Sequence, residues 1–224
     1  MPVISEPAPA APVCRLCGSG TVELFWQDTR RDYYRCGCCR LVFVPPQQLP
    51  GASEEKAEYD LHRNDPQDPG YRRFLGRLFE PLQARLAAGS EGLDFGCGPG
   101  PALAMMLAEA GHGMTVYDSF YAPDRSVLQR RYDFITATEV VEHLHRPGEE
   151  LRRLWALLRP GGVLGLMTKL VLDREAFSRW HYKNDLTHVS FFSQETFTWL
   201  ACELDARLEV IGKDVILLIR CDSA

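Results

Sequence analysis

The chain has 224 residues, 46% of them hydrophobic, and its 25 Lys and Arg against 30 Asp and Glu leave a net charge of −5. That content fills one full core plus a small appendage, and no apolar run reaches membrane-spanning length. The acidic balance supplies no global attraction to phosphate backbones, leaving only a local basic patch open to nucleic acid.

Residues 1–12 carry neither the basic start nor the apolar stretch of a secretory signal, and their Pro and Ala content predicts a disordered tail. Five cysteines then crowd a short span: Cys14, Cys17, Cys36, Cys38 and Cys39. Cys14-Arg-Leu-Cys17 and Cys36-Gly-Cys-Cys39 are two CxxC pairs separated by eighteen residues, the spacing of two knuckles around one tetrahedral zinc. Residues 13–46 therefore predict a zinc ribbon, with short strands over 22–26 and 33–35 and a continuation over 41–44. Four thiolates leave no open coordination position, so this zinc is expected to be structural and to supply much of the folding energy of so small a module. Cys38 competes in register, but only Cys36 with Cys39 keeps the two-residue gap. Disulfides are the competing pairing, disfavoured by the missing export signal. Cys97, Cys202 and Cys221 read as core thiols.

Residues 47–70, rich in proline, glutamine and mixed charge, predict a linker or an irregular cover over an active site. Tyr59, His62, Asn64 and Tyr71 either line a pocket there or are solvated loop residues. Apolar residues from Tyr71 to Leu86 recur at helical spacing, with an irregularity expected at Pro81. Leu93-Asp94-Phe95-Gly96-Cys97-Gly98-Pro99-Gly100-Pro101 reads as a buried strand that breaks into a glycine turn and opens a helix over 102–110, which is a small-molecule cradle. A second strand, 114–118, ends in Asp118, at about the 20-residue spacing where an acid grips ribose hydroxyls. The GxGxG spacing differs from the GxGxxG of nicotinamide-binding folds. A strand over 132–138, a helix over 148–158, a strand over 162–168, a helix near 194–204 and strands over 208–213 and 215–220 complete a doubly wound alternation across residues 71–221. The segment 119–131 is short for a helix plus a third strand.

The glycine turn, Asp118, Tyr132-Asp-Phe-Ile-Thr-Ala-Thr-Glu139 and Leu158-Arg-Pro-Gly-Gly-Val-Leu164 occur in the order of the class I S-adenosylmethionine-dependent methyltransferases, which this chain resembles over roughly two thirds of its length. The resemblance implies a Rossmann-like, seven-stranded, doubly wound α/β sheet whose last strand is antiparallel, joined to the N-terminal zinc ribbon. It implies S-adenosylmethionine as cofactor, with Asp94, Gly96, Cys97, Gly98, Gly100, Asp118 and Glu139 around it. Gly96 and Gly98 would pack against the methionine part and Asp118 would hold the ribose. No residue takes the adenine role, because the third strand is in doubt.

Glu139-Val-Val-Glu142-His143 stands at the end of the fourth strand, where this family builds its reaction centre. Its spacing resembles the metal site of ubiquinone-pathway O-methyltransferases and plant small-RNA 2′-O-methyltransferases, which also place a histidine after the fifth strand. His188, in Asp185-Leu-Thr-His188-Val-Ser-Phe-Phe-Ser193, matches that position. The resemblance implies a second divalent ion on Glu139, Glu142, His143 and His188 that binds an acceptor hydroxyl. Without an ion, His143 or His188 serves as general base, and Glu139, His143 and His188 are the candidate catalytic residues. In the plainer reading Glu139 and His143 border the cofactor and His188 only hydrogen-bonds within its own segment. Phe177, Trp180, His181 and Tyr182, in the insertion 170–185, suit either a flat or apolar acceptor or the packing of a lid.

The leading expectation is a cytoplasmic methyltransferase acting at oxygen or carbon of a small-molecule acceptor, with no membrane partner. An RNA methyltransferase that contacts RNA through the ribbon is the alternative. Arg15, Arg30, Arg31, Arg35 and Arg40 favour it, but Glu23, Asp28 and Asp32 nearly balance them. A non-enzymatic binding module is the third reading. The sequence names neither the acceptor nor an oligomeric state.

Overall fold

The structure is a computed structural model that describes residues 12–61 and 64–221. His62 and, but for Pro12, the expected N-terminal tail therefore lie outside the described residues.

The ribbon forms where two CxxC turns bracket a hairpin. Strands β1 (Val22–Gln27) and β2 (Asp32–Cys36) pair antiparallel, and β3 (Val42–Phe43) pairs with β2. After it come helix α1 (Ala52–Tyr59), in the stretch expected to be irregular, and α2 (Pro69–Gln83). Local chemistry starts both: the Glu54 carboxylate accepts the Gly51 N–H at 2.8 Å, and Asp68 caps α2 through the Tyr71 N–H at 2.8 Å. Helix α2 runs through Pro81 and stops at Gln83, short of the expected Leu86.

From here strand and helix alternate: β4 (Glu91–Phe95), α3 (Ala102–Glu109), β5 (Gly113–Tyr117), β6 (Tyr132–Thr138), α4 (Pro147–Leu157) and β7 (Leu158–Met167). A short α5 (Arg174–Ser178), β8 (Ser190–Phe191), α6 (Gln194–Leu204), β9 (Ala206–Ile211) and β10 (Val215–Arg220) follow. The main sheet has the order β5-β4-β6-β7-β10-β9, with β5, β4, β6 and β7 parallel neighbours and β10 antiparallel to both β7 and β9. This is the Rossmann-like α/β arrangement with an antiparallel last strand. One expectation is corrected: among the described residues this sheet has six strands, not seven. Residues 119–131 supply only the Asp118–Ala122 bridge and a 3₁₀ turn over Arg125–Gln129, because so few residues cannot hold both a helix and a returning strand.

Both faces of the sheet are covered, which is why β10 reads as a continuous apolar run and β6 is buried on both faces from Phe134 to Ala137. Alternate side chains divide the core: Phe134, Val163 and Leu217 meet Leu75, Leu78, Leu103 and Leu107 from α2 and α3. Ile135, Leu164 and Leu218 meet Leu151, Leu154 and Leu200 from α4 and α6.

The ribbon is welded to this second face. Leu16, Leu41 and Phe43 share the core that holds Leu151 and Leu154. The Gly148 N–H donates to the Arg15 carbonyl at 3.2 Å, and a Cβ at Gly148 would lie 2.3 Å from the Leu16 carbonyl oxygen. Only glycine lets the first turn of α4 approach the knuckle so closely. The ribbon sheet also takes its fourth strand from far downstream, since β3 pairs antiparallel with β8 through Val42–Phe191 and Phe43–Ser190.

Candidate functional site

A cavity of about 860 Å³ opens at the carboxyl ends of β4, β5 and β6, where the strand order reverses in a doubly wound sheet. Asp94, Gly96, Cys97, Gly98, Gly100 and Asp118 line one end, while Glu139, His143 and His188 line the other. The expected residues therefore converge on one space, with the exception of Glu142, which lies wholly inside the protein.

The glycine turn is held by the sheet and by Asp118. The Gly96 and Cys97 N–H groups donate to the Tyr117 carbonyl at 2.7 and 3.2 Å. Gly96 has φ +73°, and a Cβ there would strike the Val140 side chain at 2.5 Å. Asp118 accepts the Gly98 N–H on Oδ2 at 3.0 Å and the Phe120 and Tyr121 N–H groups on Oδ1 at 2.8 and 3.1 Å. Asp94, behind the turn, accepts the Thr136 hydroxyl at 2.7 Å. Burial pushes its carboxyl up to about 6, the Thr136 hydrogen bond offsetting part of the rise. Phe120 and Tyr121 also line the cavity, as do Tyr59, Asn64 and Tyr71 from the cover over 47–70 and α2. Phe120 and Tyr121 were not singled out from the sequence, and nothing in the irregular 119–131 segment signals them.

These features fit a ligand that pairs a cation with ribose hydroxyls. Carboxylates of Asp94, Asp118 and Glu139 face the space, and the turn brings bare backbone to it.

At the other end Glu139 sits in the left-handed region at φ +52°, a strained position for a non-glycine residue at the tip of β6. Its carboxyl is raised to about 7, by burial against the opposing charge of Lys169. Glu142 accepts a hydrogen bond from the Tyr182 hydroxyl on Oε1, while its Oε2 is buried with no hydrogen-bond partner. Burial first, and the charge of Glu139 second, push it up to about 8. The Nδ1 of His188 lies 2.7 Å from the Tyr182 carbonyl and that of His143 lies 3.2 Å from the Thr187 carbonyl. A carbonyl only accepts, so both Nδ1 atoms carry the proton. Burial lowers the affinity of His188 for a second proton, although Asp185 opposes it.

Glu142, His143 and His188 each bring one ligand atom within 4.8 Å of the others. Of the four residues expected at a second ion, the structure groups these three and leaves Glu139 outside the group. The orphaned Glu142 oxygen and two imidazoles oriented by main-chain carbonyls fit a divalent transition ion. The role of Tyr182 as partner of Glu142 is new: the sequence marked it only as one aromatic among four.

The ribbon presents a second grouping. The Sγ atoms of Cys14, Cys17, Cys36 and Cys39 all lie within 4.8 Å of one another, with Cys14–Cys39 at 3.4 Å and Cys17–Cys36 at 3.5 Å. Those separations exceed a disulfide and match thiolates around a tetrahedral zinc, so the disulfide alternative falls. Cys38 is exposed, which resolves the register in favour of Cys39. Its N–H and that of Cys39 point at the Cys36 sulfur, at 3.3 and 3.5 Å.

A family model described as a methyltransferase domain matches residues 67–209. No curated protein matches the chain. Among solved structures, a Burkholderia thailandensis 1,6-didemethyltoxoflavin-N1-methyltransferase with bound 1,6-didemethyltoxoflavin and S-adenosylhomocysteine aligns with TM-score 0.50 and 18% identity, over 88% of this chain and 98% of that one. The magnesium protoporphyrin IX methyltransferase of Synechocystis PCC 6803, with bound S-adenosylhomocysteine, aligns with TM-score 0.50 and 13% identity, over 67% of this chain and 83% of that one. A chain of the Haloferax volcanii complex that contains the Trm112 methyltransferase activator aligns with TM-score 0.51 and 11% identity, over 73% and 98%. At these identities the likeness is one of fold.

Proposed function

Because the chain belongs to the methyltransferase-domain family matched over residues 67–209, we propose that it is an S-adenosylmethionine-dependent methyltransferase acting at oxygen or carbon of a small-molecule acceptor. One observation carries this reading: a single cavity joins the glycine turn and Asp118 to Glu139, His143 and His188. The bound S-adenosylhomocysteine of two structural neighbours supports the cofactor.

Asp94, Gly96, Cys97, Gly98, Gly100, Asp118 and Glu139 would hold the cofactor, which supplies a methyl group activated on a sulfonium. Oδ1 of Asp118 already accepts two backbone N–H groups, but Oδ2 accepts only that of Gly98 and keeps a second lone pair, which would accept a ribose hydroxyl. Positioning dominates such a reaction, so the cavity walls act by aligning the acceptor and excluding water. Without an ion, His188, neutral and with Nδ1 fixed on a carbonyl, offers Nε2 to take the proton of an acceptor hydroxyl. In the alternative arrangement Glu142, His143 and His188 would hold a divalent ion, which would lower the pKa of that hydroxyl in place of a histidine base.

Cys14, Cys17, Cys36 and Cys39 would hold a structural zinc, within a ribbon over 13–46 that precedes a cover over 47–70 and the methyltransferase domain over 71–221. Free thiols at such a cluster accord with a cytoplasmic location, and no helix among the described residues is long and apolar enough to cross a membrane. Of the arginines that favoured RNA, Arg31 is buried on the 183–188 loop, Arg30 bonds that loop at the surface, and Arg35 and Arg40 are paired at the surface with Glu23 and Glu195. That favours the metabolite reading over RNA. Calorimetric titration with S-adenosylmethionine and S-adenosylhomocysteine tests the proposal: both should bind, and absence of binding by the zinc-loaded wild type would overturn it.

A further inference from the structure

The ribbon hairpin does more than pack. Its turn, Asp28–Arg31, reaches the loop that carries Tyr182, Asp185 and His188. Arg31 is only 4% exposed, and all its side-chain nitrogens are engaged. Nη1 donates to the Leu186 and His188 carbonyls at 2.8 and 3.0 Å, and Nη2 donates to the Lys183 and Asp185 carbonyls at 2.8 and 3.1 Å. Nε donates to the Tyr33 hydroxyl at 3.3 Å, which accounts for all five donors of a guanidinium. Four main-chain carbonyls between Lys183 and His188 thus converge on one buried cation.

The neighbours reinforce the same contact. Lys183, itself buried, donates to Asp28 Oδ2 at 3.1 Å, and Arg30 donates to the Asn184 carbonyl and side-chain oxygen at 3.1 and 3.2 Å. Burial would raise the Asp28 carboxyl, but the Arg30 and Arg31 N–H groups and the Lys183 ammonium hold it at about 2. The far side of the loop abuts the site: the Val189 N–H donates to the Glu142 carbonyl at 2.8 Å, and the Thr187 carbonyl takes the His143 Nδ1–H.

We propose that Arg31 is a positioning residue that holds the 182–188 loop in the shape that forms the acceptor end of the site. This rests on the methyltransferase reading for its meaning, though not for its test. The ribbon's contribution is then to deliver a cation to four loop carbonyls, of which only that of Asp185 also receives a backbone N–H from within the loop. Lysine could not replace it, because an ammonium has three donors and no planar fork to span four carbonyls.

Hydrogen exchange read by mass spectrometry on the full-length, zinc-loaded protein tests the proposal. Arg31→Ala should speed exchange in peptides covering 181–190 by roughly tenfold or more, with zinc content and the exchange of β4 and β6 unchanged. Affinity for S-adenosylmethionine should hold within about twofold, since the cofactor end is untouched, and Arg31→Lys should lie between Arg31→Ala and wild type. Wild-type exchange over 181–190, or an acceleration spread evenly across the main sheet, would overturn it. If Arg31→Ala does not fold, Arg31→Lys decides by the same peptide comparison. The exchange measurement needs no cofactor, so a wild type that fails to bind S-adenosylmethionine sinks the methyltransferase reading while leaving this test intact.

Discussion

The Gly98 N–H donates to Oδ2 of Asp118 across 3.0 Å, so the glycine turn and the acid after β5 are bonded to each other. Asp118 is therefore both a ligand-facing carboxylate and the brace of the turn, and its removal should reach the fold as well as the ligand. Asp118→Ala should cost roughly 1–3 kcal/mol in urea denaturation, because three backbone N–H groups lose their acceptor. Its affinity for S-adenosylmethionine should fall about tenfold or more by calorimetry. Loss of affinity with no loss of stability would mean that the brace does not matter.

Gly96→Ala meets two penalties, the left-handed backbone and the Val140 side chain. It should destabilise by about 1–3 kcal/mol. Adding Val140→Ala should recover the steric part and leave the backbone strain, so the double variant should fall between Gly96→Ala and Val140→Ala alone. A double variant no better than Gly96→Ala would place the whole cost in the backbone.

In the ligand-free protein the Asp94 carboxyl, raised by burial to about 6, binds its proton more tightly folded than unfolded. Its contribution is complete below the unfolded value near 4 and is lost as pH rises through about 6, amounting to about 3 kcal/mol at most. Asp94→Asn should remove this part of the pH dependence between pH 4 and 7 in denaturation curves. A slope identical to wild type would contradict the assignment.

Tyr182→Phe takes a hydrogen-bond donor from a carboxylate that is wholly buried. A cost of about 1–3 kcal/mol is expected in thermal or urea unfolding. Manganese, titrated into the zinc-filled wild type and followed by electron paramagnetic resonance, should bind at Glu142, His143 and His188, and His188→Ala should abolish it. Equal manganese binding by both proteins would exclude His188 as a ligand.

Elemental analysis should find one zinc per chain in wild type, none in Cys17→Ser, and one in Cys38→Ser, because the Cys38 side chain is exposed and outside the cluster. Zinc loss from Cys38→Ser would reopen the register of the second knuckle.

Some elements were legible to the residue. Strand β6 at 132–138, α6 at 194–204 and β10 at 215–220 begin and end where expected, because apolar runs, the Ser193 cap and the Gly212 turn are local signals. Helix α1 was not legible: it buries no residue of its own and lacks an apolar stripe. Glu139, Glu142, His143 and His188 could be picked out by motif, but the orphaned Glu142 oxygen and the engagement of Tyr182 could not, since both depend on how the 182–188 loop folds back.

By itself the sequence determined the glycine turn, the acid at the end of the second main-sheet strand and the four-cysteine spacing, because each is a short-range pattern whose chemistry needs those residues at those intervals. Only the tertiary structure decided that the ribbon sheet borrows β8 and that Arg31 closes on carbonyls as far as 157 residues downstream. The physical reason is that main-chain carbonyls carry no residue signature. Which buried cation satisfies them is fixed by packing in three dimensions, after both segments have been brought onto the same face of the sheet.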